Sequence, residues 1–265
     1  MDIRCEGRRA IVSAGASGIG LAIARKLSSN GARVIVCDID KAALAKLAST
    51  DPALISIYCN VSDPNSVKEF VHESRALLGE VDILINNAGI SGPTKNLEDI
   101  SIDEWAETLA VNLNGQFYLI KYVAEGMKAL GKGSIVCISS AAGRLGFPLR
   151  LPYATSKRAL LGMVDTIAME LGPAGINVNA ILPGYVTNDR AEKVLRAKAK
   201  AAGKTFDEIL SLLLGRISMR TGVNEEEVAS LALYLCSEHG KHISGQHISI
   251  DGNLETYSGL DNLDN

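Results

Sequence analysis

The feature that most constrains the fold of this chain is a regular alternation. Seven short runs rich in β-branched residues, "RRAIVSAG", "ARVIVCDI", "LISIYCNV", "VDILINNAG", "GSIVCISS", "INVNAILPG" and "QHISIDG", are separated by longer segments with apolar residues at helical spacing. Val67, Phe70, Val71, Ser74, Leu77 and Leu78 form one such helical face. Strands that alternate with helices must run parallel, and right-handed crossovers cover both faces of the sheet. The expected fold is therefore a single α/β domain over residues 1–265, a doubly wound, Rossmann-like, seven-stranded parallel sheet with helices on both faces. No Pro/Gly/Ser-rich linker or internal repeat divides it.

In such sheets ligands bind beyond the carboxyl ends of the strands, where the strand order reverses. Polar and glycine-rich segments follow six of the strands in turn: the loop from Ala14 to Gly20, Asp38, Asn60-Val61, "NNAG" from Asn86, "SSAAG" from Ser139, and "PGYVTN" from Pro183. Any one of them alone reads as a turn, but six at one sheet edge read as a shared site.

The first loop offers backbone N–H groups and a positive helix end to a pyrophosphate at Ser17, Gly18, Ile19 and Gly20. Its glycines are spaced G-x-x-G-x-G at Gly15, Gly18 and Gly20, unlike the usual G-x-G-x-x-G. Asp38, at the end of the second strand, can accept hydrogen bonds from both ribose hydroxyls and would repel a 2'-phosphate. With Ser17 where a basic residue could have met that phosphate, the expected cofactor is NAD rather than NADP.

"YATSK" places Tyr153 and Lys157 four residues apart on one helix face, after Ser140 at a strand end. A phenol is a poor base at neutral pH, but a nearby ammonium favours the tyrosinate. Tyr153 can then exchange a proton with a substrate hydroxyl or carbonyl while hydride moves.

Together the glycine loop, "NNAG", Asn112 of "VNLNG", Ser140, Tyr153 with Lys157, Pro183-Gly184 and "ISGQHISIDG" resemble the classical short-chain dehydrogenases/reductases over essentially the whole chain. The resemblance implies a catalytic set of Asn112, Ser140, Tyr153 and Lys157: Tyr153 as acid/base, Lys157 tuning it and holding ribose, Ser140 orienting the substrate oxygen, and Asn112 holding a relay water. It also implies cofactor contacts from Asn60 and Val61 at the adenine, from Asn87, Ala88 and Gly89 beside the adenine ribose, and from the loop with Pro183, Gly184, Val186 and Asn188 at the nicotinamide. Laid over this chain, the family's T-G-x-x-x-G-x-G falls on Ser13, Ala14, Gly18 and Gly20, with Gly15 one place late. Ala14 is then expected to keep a negative φ while Gly15 takes the unusual dihedral. Asn60 stands where the family usually has Asp, and Asn188 where it has a carboxamide-binding Thr, with Thr187 one place earlier.

The resemblance gives a reaction, the interconversion of a secondary alcohol and a ketone, but no substrate. The segment from about Asn188 to Ile217 reads as a substrate lid, with Arg190, Lys193, Arg196, Lys198, Lys200 and Lys204 in its basic half. Arg144 and Arg150 bracket the loop between Ser140 and Tyr153 and are candidate substrate contacts, since an arginine fork suits carboxylate, sulfonate or phosphate. Three readings compete: a small polar or anionic, sugar-acid-like alcohol; an apolar ketone or 3-oxoacyl thioester, which Leu145, Phe147, Leu149 and Leu151 favour; and a non-catalytic NAD-binding regulatory protein.

Composition narrows the partners. A net charge of -3 argues against a nucleic-acid surface. The 5 cysteines lie apart in apolar runs, and Cys/His spacing suits no metal, so none is expected. No run nears the ~18 apolar residues of a membrane span, and no leader precedes the first strand, so a cytoplasmic protein with no membrane partner is expected. The resemblance adds a homotetramer paired through "DEWAETLAVNLNGQFYLIKYVAEGM", "YATSKRALLGMVDTIAMEL" and the last strand. Ala154, Ala159, Leu160, Met163, Val164, Ile167 and Ala168 put apolar surface on more than one face of the second helix.

Overall fold

The computed structural model describes residues 3–254. All seven expected strands form: β1 (Arg9–Ser13), β2 (Arg33–Asp38), β3 (Leu54–Tyr58), β4 (Ile83–Asn86), β5 (Gly133–Ile138), β6 (Ile176–Pro183) and β7 (His247–Ile250). They build one parallel sheet in the order β3-β2-β1-β4-β5-β6-β7. The order reverses between β1 and β4, which opens a crevice at their carboxyl ends.

The helices are α1 (Gly18–Ser29), α2 (Lys41–Thr50), α3 (Pro64–Leu78), α4 (Ile102–Leu109), α5 (Gly115–Leu130), α6 (Leu151–Leu171), α7 (Asp189–Ala202), α8 (Phe206–Gly215) and α9 (Glu225–Cys236). Strand side chains alternate between two cores. Ala10, Val12, Val34, Val36, Ile83 and Ile85 face α1 and α9, while Ile11, Ile35, Leu84 and Ile135 face α3, α5 and α6. A sheet buried on both faces explains why its strands are apolar throughout rather than alternating with polar residues.

The sequence reads as one long helix from Asp103 through Met127, yet the structure breaks it. Five residues, Ala110–Asn114, form a π turn between α4 and α5. The break brings Asn112 inward, where its amide accepts from Ile90 N at 2.7 Å and donates to Ile90 O at 3.0 Å and Ser156 Oγ at 3.1 Å. These side-chain hydrogen bonds to Ile90 and Ser156, which no apolar period shows, accompany the wider turn.

The 3-10 turn after β5, Ala141–Gly143, keeps Gly143 tight against α6, where a Cβ would lie 2.7 Å from Lys157 O. Between α7 and α8, Gly203 turns the chain with φ 63°. No helix among the described residues is long and apolar enough to cross a membrane.

Candidate active site

The glycine loop departs from expectation in one respect. Ala14 has φ 48°, in the left-handed region, and Gly15 does not share it. Gly15 is needed for space instead, because a Cβ there would sit 2.7 Å from Val36 Cβ. The methyl of Ala14 accepts a backbone conformation costing roughly 1–2 kcal/mol, and the close approach to β2 decides where the glycine must be. Gly20 is also a contact glycine, since a Cβ would lie 2.2 Å from Ala14 O and 2.6 Å from Asn87 Nδ2.

At α1 the Ser17 side chain makes no capping bond and the first turn carries no acid. By contrast Asp40, Asp63, Ser101, Asn188, Thr205 and Asn224 each cap the helix that follows them. α6 also lacks a side-chain cap, but at α1 the uncapped N–H groups stand above the crevice and suit a bound pyrophosphate.

Asp38 ends β2 with Oδ2 accepting from Ala16 N at 3.3 Å and Oδ1 from Asp40 N at 3.1 Å. Asp40, not Asp38, caps α2 through Ala42 N and Ala43 N. Asp38 therefore ties the glycine loop to β2 through Oδ2 while its Oδ1 closes the turn into α2. Ser13 takes a framing place: it is fully buried, and its hydroxyl accepts from Asn87 N at 2.9 Å and Ala88 N at 3.0 Å. Asn87 in turn donates to the Ser13 and Ala14 carbonyls, both at 3.1 Å. Asn60 Oδ1 accepts from Ser62 N and Oγ, and Val61 packs where a Cβ on Gly115 would clash. The residues present fit a dinucleotide: a close-approach glycine cradle, an uncapped helix end, and a carboxylate at the second strand.

A cavity of about 480 Å³ opens from this crevice. Ser140, Tyr153 and Lys157 line it with Ile19, Asn87, Pro183, Gly184, Val186 and Asn188. Ser140 caps the 3-10 turn through Ala142 N. Lys157 is buried, and its Nζ donates to Ile138 O at 2.8 Å and lies 5.8 Å from the Tyr153 ring centroid. Burial, with a smaller push from Arg190, drives its ammonium down to about 7. Gly89 keeps Lys157 and Asn112 together, since its Cβ would stand 3.3 Å from Lys157 Nζ and 3.2 Å from Asn112 Oδ1. Asn112 is itself fully buried, with its amide bonded to Ile90 and Ser156 rather than open to the cavity. Asn188 lines the cavity, but its amide is engaged with Ala191 N and Glu225 Oε1.

The two arginine candidates separate. Arg144 points away from the cavity and donates to Ser249 Oγ at 2.9 Å. Arg150 lines the cavity, stacks on the Tyr153 ring at 4.7 Å, and donates from Nη2 to Ser91 O at 2.8 Å. Of the basic run, Arg190 and Lys198 face the cavity, while Lys193, Lys200 and Lys204 are exposed and Arg196 pairs with Glu192. Arg190, Val194 and Lys198 share one α7 face at i, i+4 and i+8, a spacing visible in the sequence. Arg216 and Ser91 also belong to the site, and no local motif marks them. Leu145 and Phe147 line the cavity, whereas Leu149 and Leu151 do not.

The parallel doubly wound sheet with this crevice and cavity defines a dinucleotide-binding fold. Comparison with known proteins narrows the class. Residues 13–254 match the family described as enoyl-(acyl carrier protein) reductase. The D-beta-hydroxybutyrate dehydrogenase of Rhizobium meliloti is 31% identical over 92% of this chain and 97% of its own. An NAD+-bound xylitol dehydrogenase superposes with TM-score 0.90 at 29% identity, covering 93% of this chain and 98% of that one. An actinorhodin polyketide ketoreductase with NADPH gives 0.89 at 30% identity, covering 94% and 98%. The chain belongs to the short-chain dehydrogenase/reductase family. It is an oxidoreductase of alcohols and ketones that uses a nicotinamide cofactor.

Proposed function

We propose that the protein is an NAD-preferring dehydrogenase that interconverts a small polar or anionic secondary alcohol and its ketone. The observation that carries this reading is the convergence of Ser140, Tyr153 and Lys157 on one wall of a cavity shared with the glycine loop and Asn87. Bound nicotinamide supplies or accepts the hydride. Ser140 Oγ orients the substrate oxygen, and the Tyr153 phenol moves the proton to or from it. Protonated Lys157 favours the tyrosinate and holds a ribose hydroxyl. Asn112 acts as a positioning residue that braces Ile90 and Ser156, the latter of which donates to Tyr153 O at 2.7 Å.

NAD is supported by Asp38, a carboxylate beside the glycine loop where a 2'-phosphate would meet like charge. The segment 188–217 is proposed as a lid because α7 and α8 supply the outer cavity wall. Adding cofactor and substrate should slow hydrogen exchange there, and equal protection with and without them would count against a lid. Exposed Ile102, Phe117 and Met169 on α4, α5 and α6 support a homotetramer, which sedimentation at micromolar concentration tests.

The test of the main reading is NADH formation from NAD with a panel of secondary alcohols. Turnover of small charged or hydroxylated alcohols is expected, and no turnover of any alcohol or ketone would favour the regulatory reading. A second substrate reading, an apolar ketone or acyl thioester, has its own support in Leu145, Phe147, Ile209, Leu212 and Leu213 on the cavity wall. Faster reduction of such ketones than oxidation of any anionic alcohol would establish it.

A further inference from the structure

The cavity wall opposite the glycine loop carries an excess of positive charge. Arg150, Lys157, Arg190, Lys198 and Arg216 line it, and no aspartate or glutamate does. Lys157 belongs to the reacting end, which leaves the others with no acidic partner on the wall.

Arg150 is the informative one. It is 3% exposed, and its Nε is buried without a hydrogen-bond partner among the described residues. An unpaired, buried guanidinium is costly unless something negative reaches it. Ser91 fixes its direction, since Arg150 Nη2 donates to Ser91 O and Arg190 Nε donates to Ser91 Oγ at 3.2 Å. Lys198 approaches across the face of the Phe147 ring, with Nζ 3.9 Å from the centroid. Burial first, then the charges of Arg150 and Arg216, push its ammonium down to about 8. Like charges held together in a half-apolar pocket leave the site short of an anion.

We propose that Arg150, Lys198 and Arg216 form a carboxylate-binding subsite, and that the substrate is a short hydroxy acid or its keto acid. The proposal rests on the dehydrogenase reading for the group that reacts, and on the cavity alone for the anion. A carboxylate suits the planar fork of Arg150. Because Arg150 stacks on the ring of Tyr153 at 4.7 Å, a carboxylate bound to it stands close to the reacting carbon. Acids with the hydroxyl near the carboxyl are therefore favoured over those with a long spacer. Phe147, Leu145 and Leu213 leave room for a small alkyl group but offer it no hydrogen bond.

Two measurements on the full-length protein test this. In the first, butyrate and butyramide are titrated calorimetrically into the protein with and without NADH, which needs no turnover. Butyrate should bind about tenfold to a hundredfold more tightly, the worth of a charged hydrogen-bonded contact. Lys198→Gln combined with Arg216→Gln should lower that discrimination by about fivefold or more while Arg150 still holds the carboxylate, and Lys198→Arg should keep it. Equal binding of the two ligands, or discrimination untouched by the double variant, would overturn the subsite.

The second compares kcat/KM for hydroxy acids with their methyl esters and with a 3-hydroxyacyl thioester. The acid-over-ester ratio should exceed about tenfold and fall in the double variant. Acids and esters turned over alike, or a thioester preferred, would leave the dehydrogenase reading standing and remove the subsite. Carboxylate discrimination in the calorimeter without turnover of any alcohol would keep the subsite and remove the dehydrogenase reading.

Discussion

The two halves of the crevice are built from different materials. On the β1–β4 side the surface is largely main chain: a glycine loop with no room for a Cβ at Gly15 or Gly20, an uncapped α1, and one carboxylate at Asp38. Beyond β5 the surface is side chain: Ser140, Tyr153 and Lys157 on one wall and the cations of α7 on the other. A cofactor common to many reactions is met by backbone geometry, which most substitutions leave alone. A particular substrate is met by side chains, which single substitutions rewrite. The difference predicts where mutations separate binding from turnover.

The largest effect should fall on the side-chain half. Tyr153→Phe removes only the phenolic hydroxyl, and with it the transferable proton, so kcat should drop by about 100-fold to 10,000-fold. NADH titration by fluorescence should show binding retained, because the glycine loop is untouched. A residual rate above about a hundredth of wild type would mean that another group carries the proton.

Next comes Asp38→Ala, which removes the side chain proposed to favour NAD. The ratio of kcat/KM with NAD to that with NADP should fall by roughly tenfold or more, as a charge-assisted acceptor is lost and a like charge removed. Equal efficiency of the wild-type protein with both cofactors would already break the comparison.

Lys157 stands at the boundary, and its effect is read through pH. Its ammonium sits near 7 in the folded protein, against 10.5 as the ordinary value. Between those limits the unfolded chain binds more protons, so the contribution of Lys157 to stability improves as pH rises from about 7 and is fully adverse below. Lys157→Met removes that dependence. In cofactor-free protein its melting temperature should exceed that of wild type most below pH 7, and the gap should narrow toward pH 10. A gap that does not change with pH would assign the burial of Lys157 no electrostatic consequence.

The smallest effect concerns Ala14. Relief of a left-handed alanine, roughly 1–2 kcal/mol, outweighs the roughly 0.5–1 kcal/mol of extra chain entropy that a glycine loses. Ala14→Gly should therefore raise the melting temperature by about 1–3 °C. A lower melting temperature would show that the methyl contributes packing beyond its strain.

Much of this molecule is legible in its sequence. The seven strands were visible because a sheet covered on both faces needs continuous apolar runs, and the crevice followed from where polar residues succeed them. Tyr153 and Lys157 were legible because four residues make one turn of a helix. The roles of Ser13 and Arg144 were not, since the Ser13 hydroxyl is directed by β4 and Arg144 by Ser249 of β7, partners far along the chain.

What the sequence determined by itself is therefore the periodic part: strand and helix alternation, the glycine loop at a helix start, and the pairing of Tyr153 with Lys157. Each depends on neighbours within a few residues. The tertiary structure alone decided the rest: the left-handed Ala14 beside a Gly15 pressed against β2, the π turn that buries Asn112, and the meeting of Arg150, Lys198 and Arg216 around one cavity. Those features depend on distances between segments that only packing sets, and no local pattern encodes them.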